Sequence, residues 1–470
     1  MAPVRVDQRD LQGNILAGYG FDQSLFLVFR VTDPAAGRAA LGELAEEVTT
    51  AVSFGQRRPP STLNVAFTHD GLRALGMSDR ALASFPDDFR HGMAARADRL
   101  GDNGPDAPRW WESGLRAGEP HVLVTVTAPE RAGLDERRGA VKERAARPDS
   151  GIGLVHEQLA AVIQSEDGSV AREHFGFADG FAQPSIDGVA EHDPSRKLGP
   201  TARGGQGTPA RGRWKDLAPG EFVLGYPDEA SVVADQPEDP LRRSGSYMVL
   251  RKLRQDVTLF HRFLHEAAGG DADQAELLAA KIMGRWRDGT PVKLQPGLRP
   301  GVGTARAGAG AAGARSAPEN DFRYGDDPHG MACPIGAHIR RANPRDAMGF
   351  GSRLTSRHRI IRRGVPYGPA SKDPAVEDGF DRGLMFVCYQ ASIARQFEVV
   401  QGRWIADGDA FGLGADGDFV LGGEDPHGKI VIPGDPPRIL GPRRSFVTNR
   451  GGGYFFAPGI AALHALAAGV

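Results

Sequence analysis

Residues 333–367 read CPIGAHIRRANPRDAMGFGSRLTSRHRIIRRGVPY, and this segment decides how the rest of the chain is interpreted. His338 follows a proline and small residues, a setting that leaves room for a bulky, flat group beside its imidazole. Asn343 and the proline after it predict a turn in the loop that comes next. Basic and apolar residues then alternate up to Gly364, which predicts a strand that ends there.

The faces of this predicted strand separate its arginines. Successive side chains of a strand point to opposite faces, so His358, Ile360 and Arg362 share one face. Arg359 and Arg363 then lie on the other face. An arginine on the inward face is a buried cation that needs an anionic partner. One histidine near one such arginine is more often structural than a ligand, so this segment alone leaves both interpretations open.

A second segment, residues 174–188, reads HFGFADGFAQPSIDG. Asp179 lies between Gly176 and Gly180 among phenylalanines, in a turn that exposes its carboxylate next to apolar surface. The ordinary interpretation is an aspartate that accepts hydrogen bonds from its own turn. The alternative is a carboxylate that takes part in chemistry.

Together these segments resemble the dye-decolourising peroxidases, a family of haem peroxidases. The resemblance rests on the family's G-x-x-D-G motif at residues 176–180 and on its proximal-histidine segment, PIGAHIR, at residues 334–340. The strands RIIRRGVPYG at residues 359–368 and GLMFVCYQ at residues 383–390 are also similar. The segment DLQGNIL at residues 10–16 resembles the family's opening segment. The five motifs occur in the family's order and extend over nearly the whole chain.

The periodicity of the chain predicts an α+β fold. The predicted order in the first half is strand, helix, strand, strand, helix, strand, at residues 24–33, 34–52, 61–70, 121–129, 132–147 and 153–163. This order is the ferredoxin-like pattern. The second half repeats it in kind, with a strand at residues 246–256, a helix at residues 392–406 and a closing strand pair or hairpin at residues 444–459.

The resemblance implies the same architecture: two ferredoxin-like domains, each an antiparallel sheet with helices, with haem mainly in the C-terminal domain. We predict that residues 1–220 form the N-terminal domain, which carries the G-x-x-D-G motif, and that residues 221–470 form the haem-binding domain. Two Gly- and Pro-rich segments, residues 193–220 and 294–318, predict long loops.

The resemblance also implies a cofactor, haem b, and assigns its iron ligand. His338 takes the role of the proximal ligand, because neutral imidazole is the usual ligand in haem peroxidases. Its other ring nitrogen should donate a hydrogen bond to a carboxylate or carbonyl, which makes the ligand more electron-donating. Glu398 on the following predicted helix is a candidate acceptor, and His329 is an alternative iron ligand.

On the opposite face of the haem, the resemblance assigns Asp179 as the distal acid and base. Arg362 matches the distal arginine, which would keep Asp179 ionised through charge pairing and polarise the O–O bond of hydrogen peroxide. Arg359 and Arg363 are the competitors, and Arg362 is preferred as the first arginine of the family's R-R-G pattern. Leu384 and Phe386 are two residues apart on a predicted strand and form an apolar wall over the distal pocket, or ordinary core.

Composition excludes several other classes of protein. The 470 residues carry a formal net charge of −2, so nothing draws the chain to nucleic acid or to a membrane surface. Its two cysteines, Cys333 and Cys388, are too few for a disulfide scaffold. No segment is apolar enough for a membrane span, and no signal peptide is evident, so we expect a soluble protein in the cytoplasm.

Three functions follow from these features. The first is a peroxidase that uses hydrogen peroxide to oxidise dyes, phenols or other organic electron donors in one-electron steps. The second is a haem carrier or sensor on the same fold, and the third is a binding protein without a cofactor. The pairing of Asp179 with Arg362 favours the first. Bulky dyes would not reach a buried haem, so Trp404, Tyr367 and Tyr389 are candidates for passing electrons to the surface.

Overall fold

The computed structural model describes residues 5–16, 19–52, 58–165, 170–180, 182–189, 216–298, 320, 322–348, 352–441 and 444–469. Most of the two loops predicted at residues 193–220 and 294–318 lies outside these residues.

The first half of the chain contains six strands and seven helices among its described residues. The strands are β1 (Gln23–Val31), β2 (Thr62–Phe67), β3 (Val122–Ala128), β4 (Ile152–Ala161), β5 (Ile163–Gln164) and β6 (Ala171–Arg172). The helices are α1 (Gly13–Leu16), α2 (Pro34–Ala45), α3 (His69–Ala74), α4 (Asp79–Ala83), α5 (Asp87–His91), α6 (Ala97–Leu100) and α7 (Arg131–Ala145). Short 3-10 turns lie at Ala94–Arg96, Gly104–Asp106 and Pro108–Trp110.

The second half contributes seven strands and five α-helices among its described residues. The strands are β7 (Ser246–Gln255), β8 (Ile361–Arg362), β9 (Val365–Tyr367), β10 (Gly383–Gln390), β11 (Ile430–Ile432), β12 (Arg438–Leu440) and β13 (Val447–Ala457). The helices are α8 (Val257–Ala267), α9 (Ala272–Met283), α10 (His338–Ala342), α11 (Arg353–Ser356) and α12 (Ile460–Ala468). A π-helix spans Val399–Ile405, and 3-10 turns lie at Pro219–Glu221 and Asp409–Phe411.

The principal sheet is antiparallel and nine-stranded, in the order β4-β1-β3-β2-β13-β7-β10-β8, with β9 also beside β10. The predicted α+β fold, with antiparallel strands in each half, is confirmed. The two sets of strands are continuous, because β13 of the second half pairs with β2 of the first where Phe456 faces Phe67. Helix α12 packs against α2, so the end of the chain lies on the first half. The predicted boundary at residue 220 stays a prediction.

Alternation along β7 and β10 positions the functional site. On β7, Met248 and Leu250 point into one hydrophobic core. Arg251, Leu253 and Gln255 point to the opposite face, where they line a cavity. On β10, Met385 belongs to the same core as Met248, while Leu384 and Phe386 face the cavity. One face of the sheet is therefore core, and the other carries the cavity.

Four predicted elements differ from the observed ones. Helix α2 ends at Ala45 rather than at residue 52. The helix predicted at residues 392–406 is regular only over the π-helix, which sequence periodicity does not distinguish from an α-helix. The predicted closing hairpin is a single strand, β13, because the register shift between Asn449 and Gly452 forms a bulge and not a turn.

The strand predicted to end at Gly364 is also much shorter than expected. Its first residues, 357–360, are not strand: they follow α11, and the backbone N–H groups of Arg357 and His358 donate to the carbonyls of Leu354 and Thr355 as this helix ends. Only Ile361–Arg362 then pairs with β10. Only the last residues of the alternating pattern therefore belong to the sheet.

Candidate active site

A deep cavity lies between the β7–β10 face of the sheet and the segments that cover it. Its walls come from the loop that contains Asp179, from α10 with His338, from β8 with Arg362, and from the π-helix. The two segments singled out in the sequence, more than a hundred residues apart, therefore meet at one cavity. The structure brings every predicted site residue to this cavity: His338, Asp179, Arg362, Leu384 and Phe386.

His338 is the first residue of α10, and its ring is fixed by a buried carboxylate. Its Nδ1 atom lies 3.1 Å from Oδ2 of Asp418. Asp418 has no exposed side-chain surface, whereas 25% of the His338 side chain is exposed, on the cavity side. Since Nδ1 is engaged by Asp418, Nε2 is the ring nitrogen that remains for a ligand.

Asp418 is in turn held by backbone amides. Its Oδ1 atom accepts hydrogen bonds from the N–H groups of Val420 and Leu421, at 2.9 and 2.8 Å. Burial raises the pKa of Asp418, but the charge and hydrogen bond of His338, followed by the charge of Arg341, outweigh burial and lower this pKa to about 2. The pKa of His338 is raised: burial lowers it, but Asp418 more than compensates. A buried carboxylate therefore orients the imidazole and increases its electron density.

The prediction that Glu398 accepts this hydrogen bond is wrong. The Glu398 carboxylate accepts hydrogen bonds from Arg96, at 2.6 Å from Nη2, and from the Tyr454 hydroxyl at 3.1 Å. Asp418, which no local pattern marked, takes its place. His329, the alternative ligand, is exposed and does not line the cavity.

Asp179 lies in a tight turn on another wall of the cavity. Its backbone N–H donates to Ala171 at 3.0 Å, and its Oδ1 accepts the N–H of Gly180 at 2.6 Å. Gly176 and Gly180 have φ angles of +94° and +91°, which a residue with a Cβ rarely adopts. The turn predicted from the sequence is present, and the same carboxylate also lines the cavity, so the turn does not exclude a chemical role.

Arg362 is tied to the Asp179 segment through its backbone. The side chain of Gln183 accepts the Arg362 N–H at 3.1 Å and donates to the Arg362 carbonyl at 2.9 Å. Gln183 therefore joins the loop to β8, a role that no sequence signal had indicated. Asp179 and Arg362, both described residues, form no ion pair with each other, so the predicted charge pairing is not a direct contact.

The other two arginines of this segment have different surroundings. Arg363 points away from the cavity and donates to the carbonyls of Asn14 and Leu16, at 3.1 and 2.7 Å. Its position opposite Arg362 is as predicted. Arg359 was predicted on the face of Arg363, but it lines the cavity and donates to Ala182 at 2.5 Å, because the chain before Ile361 is not a strand.

The cavity is strongly positive. Seven charged residues line it within the described part of the chain: Arg251, Arg285, Arg345, Arg359, Arg362, Glu173 and Asp179. Burial lowers the pKa of Arg359 to about 9, and the charges of Arg345 and Arg362 add to this effect. Burial and the charge of Arg345 likewise lower the pKa of Arg285 to about 9. An anionic group in the cavity would stabilise these guanidinium groups.

The donor atoms fit a metal that brings most of its own ligands. Among the described residues, no group of three or more His, Cys, Asp or Glu side chains could hold a metal ion. His338 offers one nitrogen, from a wall that is otherwise largely apolar, with Leu384 and Phe386 on the sheet side. A flat, apolar macrocycle with carboxylate groups, such as haem, matches the His338 imidazole, the apolar walls and the buried arginines.

Comparisons with known proteins agree with this geometry. Residues 10–164 match the family model described as the DyP dimeric α+β barrel domain, and residues 226–411 match that of the C-terminal part of Dyp-type peroxidases. A dye-decolourising peroxidase of Mycena epipterygia is 30% identical over 98% of this chain and 87% of its own length.

Solved structures show the same fold. The fungal DyP-type peroxidase of Auricularia auricula-judae superposes with a TM-score of 0.78 at 26% identity, covering 99% of this chain and 100% of that one. A dye-decolourising peroxidase in complex with 2,6-dimethoxyphenol gives a TM-score of 0.77 at 26% identity, covering 98% and 100%.

Fold and cavity together define a cofactor-dependent α+β oxidoreductase of the peroxidase class. The chain belongs to the dye-decolourising peroxidase family, which is haem-dependent, and it is a peroxidase. The family predicted from the sequence is confirmed. Separately, within the part of the chain that the structure describes, no helix has both the length and the apolar character to cross a membrane.

Proposed function

We propose that this peroxidase binds haem b through His338 and uses hydrogen peroxide to oxidise dyes, phenols and other organic donors in one-electron steps. The observation that carries the proposal is the meeting of three groups at one cavity: an imidazole oriented by Asp418, the carboxylate of Asp179, and the guanidinium of Arg362. Bound haem supplies the iron that cleaves the O–O bond and stores the two oxidising equivalents. Several of the buried arginines would hold its carboxylates.

The roles of the protein's own groups follow from their positions. The Asp179 carboxylate would accept a proton from one oxygen of hydrogen peroxide and return it to the other oxygen, which leaves as water. Arg362 donates hydrogen bonds to the negative charge that develops on the departing oxygen. Leu384 and Phe386 exclude water from this wall, which strengthens both interactions.

Organic donors would be oxidised at the edge of the cavity or through side chains. The phenol bound to a related enzyme supports phenols as one donor class for this chain. Trp404, Tyr367 and Tyr389 are 4%, 1% and 1% exposed, so they would serve as inner steps of an electron path and not as surface sites. Trp404 lines the cavity and has its ring 5.2 Å from that of His358. The predicted cytoplasmic location stays a prediction.

The test compares the wild type with Asp179→Asn, which keeps the shape of the side chain and removes the base. Stopped-flow absorption after one equivalent of peroxide should show a fast spectral change in the wild type. The same change should be slower by about 10²–10⁴-fold in the variant, with the resting spectrum nearly intact. Dye oxidation by the wild type should be fastest at acidic pH, because carboxylates stay ionised there while imidazole is protonated.

Three outcomes contradict the proposal. If the purified protein shows no haem absorption band after reconstitution, haem is not its cofactor. A haem-bound protein that peroxide does not change would be a carrier or sensor. A variant that reacts at the wild-type rate at every pH would leave Asp179 as a turn residue only.

A further inference from the structure

Glu173 lies six residues before Asp179, and its carboxylate holds the loop between them. Its Oε2 atom accepts the backbone N–H of Phe175, and its Oε1 atom accepts that of Phe177, both at 2.9 Å. The backbone closes the same loop, since the Glu173 N–H donates to the Phe177 carbonyl at 3.0 Å and its carbonyl accepts from Gly176 at 2.9 Å. The Glu173 side chain therefore accepts hydrogen bonds from backbone N–H groups that would otherwise lack a partner in this buried loop.

A third donor connects Glu173 to the sheet. Nε2 of Gln255, on β7, donates to Oε2 of Glu173 at 2.7 Å. Gln255 is 7% exposed and lines the cavity, and its Oε1 atom has no hydrogen-bond partner in the described part of the chain. Glu173 thus bridges the Asp179 loop and the cavity wall formed by the sheet.

The hydrogen bonds indicate that Glu173 is ionised. All three identified partners donate N–H groups, and an ionised carboxylate is a pure acceptor. Burial raises the pKa of Glu173, and the negative charge of Asp179 also raises it, while the three N–H donors oppose the rise. The three N–H donors therefore hold a charged carboxylate inside a buried loop.

A different carboxylate holds the same loop from outside. Glu276, on α9, accepts the Nε–H of Arg287 at 2.7 Å, and Arg287 donates to the carbonyl of Phe175. The guanidinium of Arg287 lies 4.9 Å from the ring centre of Phe177. Glu276 therefore supports the loop without contacting the Asp179 side of it, and serves as a matched control.

We propose that Glu173 is a positioning residue of the peroxidase reaction, whose ionised carboxylate holds the loop so that Asp179 faces the cavity. The proposal rests on the proposed role of Asp179 as the base.

Two substitutions separate geometry from charge. Glu173→Gln removes the charge and places an NH₂ group where at least one backbone N–H now donates, so the loop should shift. We expect the spectral change with peroxide to slow by about 10–100-fold, the cost of misplacing a catalytic group by about 1 Å. Glu173→Asp keeps a carboxylate, which accepts hydrogen bonds only, so it should be slowed less than Glu173→Gln. Both variants should keep the resting spectrum and haem content of the wild type.

The measurement is stopped-flow absorption with peroxide from acidic to neutral pH, with the resting spectrum, haem content and circular dichroism of each variant. Glu276→Gln changes a buried ion pair behind the loop but leaves the Glu173 carboxylate in place, so it should slow the reaction less than Glu173→Gln. The inference is overturned if Glu173→Gln reacts like the wild type, or if Glu173→Asp is slowed as much as Glu173→Gln, which would mean that the carboxylate is not what positions the loop. Asp179→Asn, run in parallel, separates the two proposals: a slow Asp179→Asn with a normal Glu173→Gln contradicts only this inference, and a normal Asp179→Asn contradicts both.

Discussion

The histidine wall and the aspartate wall of the cavity are built differently. On the histidine wall, one side-chain contact, from His338 to Asp418, fixes the functional ring, and backbone amides fix Asp418 itself. On the aspartate wall, no other side chain among the described residues forms a hydrogen bond with the Asp179 carboxylate. This carboxylate accepts a hydrogen bond from the adjacent Gly180 N–H. Its position depends on the whole loop.

This difference suggests a division of work. A ligand to iron has to stay at a fixed distance, and one rigid carboxylate ensures this. A base that takes and returns a proton has to face a small substrate in a water-poor space, and a loop anchored by Glu173 and Gln183 places it there while leaving its carboxylate available. We therefore expect damage to the histidine wall to affect the cofactor, and damage to the aspartate wall to affect the reaction.

The largest effect is expected from His338→Ala. This change removes the imidazole assigned as the iron ligand, so the variant should retain little haem and lose nearly all peroxidase activity. The measurement is the haem-to-protein absorbance ratio after reconstitution and gel filtration. His329→Ala, at an exposed position, is the control and should bind haem like the wild type. Full haem content and an unchanged spectrum in His338→Ala would remove the distinction between the walls.

A smaller effect is expected from Arg362→Leu, on the aspartate wall. Loss of one donor to a developing charge slows a reaction by roughly two to three orders of magnitude, so the spectral change with peroxide should slow by that factor. Haem binding should survive, because other arginines remain in the cavity. Arg359→Leu is the comparison, since Arg359 lines the same cavity but donates to the Ala182 carbonyl. A large loss in Arg359→Leu with a normal Arg362→Leu would exchange the roles of the two residues.

The sequence predicted those parts of the site that have a local signature. His338 and Asp179 lie among small and turn-forming residues, and Leu384 and Phe386 alternate along a strand, so each could be placed from its neighbours. Arg362 was preferred as the first arginine of the R-R-G pattern, and it does line the cavity. The strand-face rule misplaced Arg359, because the strand is shorter than its pattern.

The contacts that support these residues were not predictable in this way. Asp418 is 80 residues from His338, and only the tertiary fold brings them together. Gln183 and Glu173 act through hydrogen bonds to backbone groups, which depend on the shape of a loop and not on a spacing. The continuity of the two halves rests on the pairing of β13 with β2, which short-range patterns do not encode.

The smallest effect concerns the pH dependence of the aspartate wall. His174 lies between Glu173 and the motif, is 8% exposed, and approaches the carbonyl of Tyr367 with Nε2 at 2.7 Å. Burial lowers its pKa from 6.5 to about 4. The unfolded chain therefore takes up a proton at a higher pH than the folded one, so the contribution of neutral His174 is fully present above pH 6.5 and is lost as the pH falls toward 4, up to roughly 3 kcal/mol.

His174→Gln retains a donor for the Tyr367 carbonyl and removes the titration. Amide hydrogen exchange, corrected for intrinsic rates, should show that the protection of Phe175 and Phe177 decreases from pH 7 to pH 5 in the wild type, and decreases less in the variant. Val420 and Leu421, the amides bonded to Asp418, provide the internal reference on the histidine wall and should change less than the loop in both proteins. Equal losses of protection on both walls, or the same slope in His174→Gln as in the wild type, would show that His174 does not link the stability of the Asp179 loop to pH.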